Sequence, residues 1–78
     1  MRITIESVTT GPNILAMFQN SSHDITIIVH DDISYEVIRN GHRQKTDMSK
    51  WYVKPSSVIT HIENDVAAGY YPGVRRIA

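Results

Sequence analysis

His30-Asp31-Asp32, with His23-Asp24 seven residues before it, is the densest set of side chains in the chain able to hold a metal or move a proton. In an extended segment His30 and Asp32 project from one face, so an imidazole nitrogen and a carboxylate oxygen can converge on one point. Two ligands make neither a zinc site nor a calcium loop, and no third follows at a recognisable spacing. Asp-Asp at a strand end is also ordinary turn chemistry. His61 and Asp65 form a second pair, at i and i+4 on one side of a helix, where the carboxylate can orient the imidazole. The HExxH zinc pattern is absent. No serine stands in a GxSxG elbow, and the glycines are too scattered to cradle a phosphate. These residues point away from an enzyme, and the chain is expected to use no cofactor and no metal.

A different chemistry is concentrated between Val37 and Lys54, which holds five of the eight Lys and Arg residues against one acid, Asp47. Residues 1 to 36 carry the opposite balance, Arg2 against Glu6, Asp24, Asp31, Asp32 and Glu36. The candidate partner-binding residues are therefore Arg39, His42, Arg43, Lys45, Lys50 and Lys54, interleaved with Trp51 and Tyr52. Cations with aromatics suit phosphate contacts plus base stacking, and they suit an acidic protein surface equally well. The same cations on an edge hairpin also guard against aggregation, and Trp51 is expected in the core rather than on a stacking platform.

The elements that must position these residues are mostly strands. Eleven Ile and seven Val stand against a single Leu, and branching at the β carbon favours a pleated sheet over a helix. Turn signals separate alternating runs over Arg2 to Val8, Asp24 to His30 and Ile33 to Val37. The segment Asn13 to Gln19 fits a short helix or a central strand and is read as a strand. Asn40-Gly41 is the clearest local signal, a type I′ turn whose two-residue length fixes the register of the hairpin. Arg39 then faces His42, Ile38 faces Arg43, and Glu36 faces Lys45, with Tyr35 and Val37 pointing to the core from the other side.

Lys50 to Lys54 reads as a last short strand stopped by Pro55. A helix follows from Ser56 or Ser57, either hydroxyl serving as N-cap, and runs to Gly69. Val58, Ile59, Ile62 and Val66 fall within an arc of about 100° on it, with Thr60, His61, Asn64 and Ala68 opposite. A basic tail, residues 70 to 78, closes the chain. The expected fold class is α+β: an antiparallel β-meander of five to six short strands with one C-terminal α-helix packed on one face. One helix covers one face, so the other, with Thr4, Glu6, Thr26, Ser34, Glu36, Arg43 and Lys45, is expected to be wet. From Ile33 to Gly69 this architecture resembles in outline the sheet-plus-helix DNA-binding domains of phage integrases and plant AP2-type factors, and also some very small phage-encoded inhibitors.

Seventy-eight residues allow one domain, 1 to 78, and one core. The lack of cysteine suits a reducing compartment, and the longest apolar run, Ile14 to Phe18, is far too short to span a bilayer. Without a signal-peptide stretch at Met1-Arg2-Ile3-Thr4, the expectation is a soluble cytoplasmic protein with no membrane partner. Its formal net charge is zero, so no global field draws it to nucleic acid. The favoured role is a small interaction or regulatory protein, such as an inhibitor from a phage or other mobile element. Its partner would be an acidic host protein or nucleoprotein, with a nucleic-acid-binding domain as the alternative and a homodimer through an edge strand open to it.

Overall fold

The computed structural model describes residues 13–78, and the expected strand Arg2 to Val8 lies outside the described residues. Four strands follow one another as a meander: β1 (Ile14–Gln19), β2 (Ile25–His30), β3 (Ser34–Arg39) and β4 (His42–Asp47). The helix α1 (Pro55–Ala67) then crosses the sheet and delivers β5 (Arg75–Arg76) to the far edge. The five-stranded sheet has the order β4-β3-β2-β1-β5, antiparallel throughout. The α+β meander with a single packed helix is the fold expected, and Asn13 to Gln19 supplies a strand.

Each connection has a local cause. Asn40 (φ 51°) and Gly41 (φ 84°) both take the left-handed conformation a type I′ turn requires, and the register is the one counted from the sequence: Arg39 with His42, Ile38 with Arg43, Glu36 with Lys45. The β2–β3 turn is a three-residue loop ending on Ile33 at φ 63°, a costly conformation for a β-branched side chain. Ile33 is held there by its packing on the core and by Met48, whose N–H donates to the Ile33 carbonyl at 2.8 Å.

The helix begins one residue before the serines. Lys54 is its extended N-cap, and Pro55 occupies the first turn, where its missing N–H has no intrahelical partner to lose. Pro55 therefore starts the helix instead of ending a strand. At the other end Gly69 N–H bonds Val66 O (3.1 Å) and Tyr70 N–H bonds Asp65 O (3.1 Å), the Schellman pattern that Gly69 at φ 87° permits. Val58 and Ile62 are fully buried, and Ile59 and Val66 pack beside them, so the expected stripe is the packed one.

Three expectations are corrected. Lys50 to Lys54 is a turn and bend, not a strand: Trp51 and Tyr52 N–H both donate to Met48 O at 3.0 Å, which curls the chain away from the sheet edge. The basic tail is partly strand, since Arg75 and Arg76 pair with Gln19 and Phe18, and Ile77 N–H continues to Met17 O at 2.8 Å. Finally, the sheet face away from α1 is wet only along β4, where Arg43 and Lys45 are exposed, and is buried over β2 and β3. Thr26, His30, Ser34 and Glu36 are buried there together with the apolar cluster Met17, Ile28 and Ile38.

The main core lies on the helix side, where Ala16, Phe18, Ile27 and Val29 meet Val58, Ile62, Met48 and Val74. The helix lies chiefly over β2 and β3. It leaves the helix-side residues of β4, His42, Gln44 and Thr46, as an open shelf along the edge.

Candidate partner-binding surface

The hairpin register sends the expected cations to opposite sides of the sheet. Arg43 and Lys45 alternate on the side away from α1, where each meets an acid. Arg43 Nε lies 3.4 Å from Glu36 Oε1, and Glu36 Oε2 accepts from His30 Nε2 at 2.6 Å. Lys45 Nζ donates to Asp32 Oδ2 at 3.3 Å, while the Ser34 hydroxyl donates to Asp32 Oδ1. The Ser34 hydroxyl, assisted by Lys45, holds the Asp32 carboxyl below its usual range against the opposing effect of burial.

This chain of contacts explains why polar residues read as solvent-facing are inside. Thr26 accepts from Gln19 Nε2 at 2.9 Å, Glu36 has two partners, and no buried side-chain nitrogen or oxygen among the described residues lacks one. It also neutralises the hairpin. Among the described residues Arg43 and Lys45 stand against Glu36, Asp32 and Asp47, so these two cations are offset by neighbouring acids before any acidic partner meets them.

The proposed metal or acid/base residues are used in the same way. His30 reaches Glu36, and Asp32 serves Ser34 and Lys45. His23 Nδ1 contacts Ser21 O, and Asp24 accepts from the Ser22 hydroxyl at 2.7 Å within one turn. Among the described residues no group of three or more His, Asp or Glu is placed to hold a metal ion.

Arg39 projects to the helix side, its guanidinium 5.5 Å from the centre of the Tyr71 ring. Burial pushes the Tyr71 hydroxyl up from its usual 10.0, with Tyr35 and Asp65 adding and Arg39 opposing. His42 is exposed at the hairpin tip. Lys50 and Lys54 do not lie one strand over from the hairpin. Lys50 is in the turn after β4 and Lys54 caps α1, both exposed and in no ion pair among the described residues.

Between them the structure reverses the expectation for Trp51. The indole is 67% exposed and its neighbour Val53 87% exposed. The cause is the tight turn on Met48, which puts Met48 in the core and leaves Trp51 outside. Trp51 instead forms one wall of a groove of about 480 Å³ that is open to solvent, with Thr46, Met48, Tyr52 and His61 as the other walls. His61, expected on the outer side of the helix, faces this groove and stands 6.3 Å from the Tyr35 ring. Its Nε2 lies 3.3 Å from Asp65 Oδ2, and its Nδ1 is in hydrogen-bond contact with the Tyr52 hydroxyl at 3.3 Å.

The Tyr52 hydroxyl and the His61 ring contact each other, and most of what the groove presents is apolar. It is built to receive an apolar side chain beside a hydroxyl and an imidazole, in a turn flanked in the chain by Lys50 and Lys54, which enter no ion pair among the described residues. The sequence signal for it was there in Lys50-Trp51-Tyr52-Val53-Lys54, but alternation in so short a run does not distinguish a strand from an exposed turn.

No family model, curated protein or solved structure matches the chain. Among the described residues no helix is long and apolar enough to cross a membrane.

Proposed function

We propose that this protein is a non-enzymatic binding module, regulatory or inhibitory in action, of the kind a phage or other mobile element uses against an acidic host protein or nucleoprotein. The contact surface is the Lys50 to Lys54 turn with its groove, and not the sheet face. The observation that carries the reading is Trp51, 67% exposed between two lysines that pair with no acid among the described residues. Single exposed apolar residues are ordinary, but an exposed Trp beside an apolar groove and flanking positive charge has the composition of an interface anchor. The lysines would steer an acidic surface and the indole would supply the desolvated contact.

The same trio favours a second reading. A flat exposed indole between ammonium groups suits a base stacked on the ring with flanking phosphates on the lysines. A sequence pI of about 6.9 weighs against a nucleic-acid partner. Affinity capture from the native host, with and without nuclease, separates the two. The first reading expects an acidic protein retained by the wild type after nuclease and lost with Trp51→Ala or the Lys50→Glu, Lys54→Glu pair. Capture abolished by nuclease would transfer the role to nucleic acid, and capture indifferent to all three substitutions would remove this surface from the function.

A further inference from the structure

β4 is one edge of the described sheet, and the direction of its backbone groups follows from the hairpin. A two-residue turn closes on a hydrogen-bonded pair, here Arg39 with His42, and such pairs alternate along an antiparallel ladder. His42, Gln44 and Thr46 therefore turn their N–H and C=O groups toward β3. Met48 keeps the alternation, its N–H bonding Ile33 O. Arg43, Lys45 and Asp47 aim theirs outward, as a template for another strand.

We propose that this edge pairs with β4 of a second copy of the chain, antiparallel about a two-fold axis at Lys45, joining two sheets into one. The edge is self-complementary in charge. With Lys45 opposite Lys45 of the second copy, each Arg43 stands opposite an Asp47, twice by symmetry. Both groups are free to make the contact. Arg43 approaches Glu36 through Nε, its side chain is 41% exposed, and a guanidinium has further N–H donors to offer. Asp47 is exposed, accepts the Ser49 N–H at 2.9 Å and also the Ser49 hydroxyl, and enters no ion pair among the described residues. The Ser49 N–H first, then the Ser49 hydroxyl, hold its carboxyl below the usual range, so it is ionised.

The like charges at the axis are already compensated, because each Lys45 is bound to its own Asp32. On the helix side the same register sets Gln44 opposite Thr46, a pair able to hydrogen bond. Neighbouring registers serve less well. A shift of two residues toward the hairpin tip puts Arg43 opposite Lys45. The reverse shift pairs Lys45 with Asp47 but shortens the ladder, since β4 ends at Asp47. Because Arg43 and Lys45 are balanced by Glu36, Asp32 and Asp47, the edge carries no large positive charge to repel its own copy.

Sedimentation velocity of the full chain, over a concentration series reaching the millimolar range, tests this. The wild type is expected to dimerise, with a dissociation constant that rises with salt. Asp47→Asn keeps an acceptor for Ser49 N–H and leaves Arg43 on Glu36, so it removes only the charge and should weaken the dimer roughly tenfold. Asp47→Arg and Arg43→Glu should each be monomeric alone, and an equimolar mixture should form a heterodimer, because both mismatched pairs become opposite-charge pairs. Circular dichroism establishes that each variant is folded. If Arg43→Glu fails to fold beside Glu36, the Asp47→Asn and Asp47→Arg series carries the test by itself. A wild type that stays monomeric, substitutions at Asp47 that leave association unchanged, or folded variants that do not recover a dimer on mixing would overturn the proposal. The Trp51 surface plays no part in this inference, and either can fail alone.

Discussion

Glu36 stands directly across from Lys45 on the β3–β4 ladder, yet neither is the other's ion partner: Glu36 holds His30 and Arg43, and Lys45 reaches back to Asp32. The contacts run along diagonals because the sheet buries Glu36 beside His30, while the long Lys45 stem carries its ammonium out to the exposed turn. Glu36 is therefore the residue on which the buried network converges.

Substitution at the two ends of that opposition should separate them. Glu36→Ala leaves the buried His30 without its carboxylate and is expected to cost about 3 kcal/mol, as for breaking a buried pair. Lys45→Ala loses an exposed pair and should cost under about 1 kcal/mol. Urea unfolding measures both, and equal costs would show that Glu36 is not the centre of the network.

Asp32 provides a pH-dependent test. Its carboxyl is held below the ordinary 3.8, first by the Ser34 hydroxyl and then by Lys45. A depressed folded-state pKa contributes stability that is present above the unfolded value and is lost as pH falls through the folded one. Asp32→Asn should therefore be less stable than wild type at neutral pH, by under about 1 kcal/mol at so exposed a site. The gap should hold down to about pH 4 and close below it. Unfolding midpoints across that range check this, and a gap that persists in acid would assign the loss to something other than the charge.

Tyr71 tests the opposite sign. Burial raises its hydroxyl above 10.0, so its contribution is present below that value and is lost as pH rises through the folded pKa. An alkaline titration of tyrosinate absorbance should contain a late step that Tyr71→Phe removes. A titration identical in wild type and variant, apart from its amplitude, would contradict the environment described for Tyr71.

Trp51 is the chain's single tryptophan, so its fluorescence reports on the candidate surface directly. Trp51→Ala should change stability by no more than about 0.5 kcal/mol, as expected of an exposed side chain, while abolishing partner capture. A larger loss of stability would mean that the indole is packed inside.

At the hairpin turn, Gly41 has no atom within 4 Å of the position a β carbon would take, so only its φ of 84° resists substitution. Gly41→Ala should cost about 1 to 2 kcal/mol, the penalty of the left-handed conformation for an L residue. A neutral substitution would argue against the type I′ turn and the register built on it.

The sequence by itself determined what rests on local chemistry. Ile and Val bias made strands, Asn40-Gly41 fixed the hairpin and its pairing, Gly69 ended the helix, and the Val58, Ile59, Ile62, Val66 stripe faced the sheet, because φ preferences and side-chain periodicity act within a few residues. Tertiary structure alone decided which polar residues are buried. Thr26, Ser34 and Glu36 alternate as a wetted face would, but alternation encodes only a side of the sheet, and Glu36 is inside because His30 and Arg43 from neighbouring strands satisfy it there. Trp51 is outside for the complementary reason. Two N–H groups bonding Met48 O curl the chain off the sheet before Pro55, and the core position that hydrophobicity would give the indole is filled by Met48 instead.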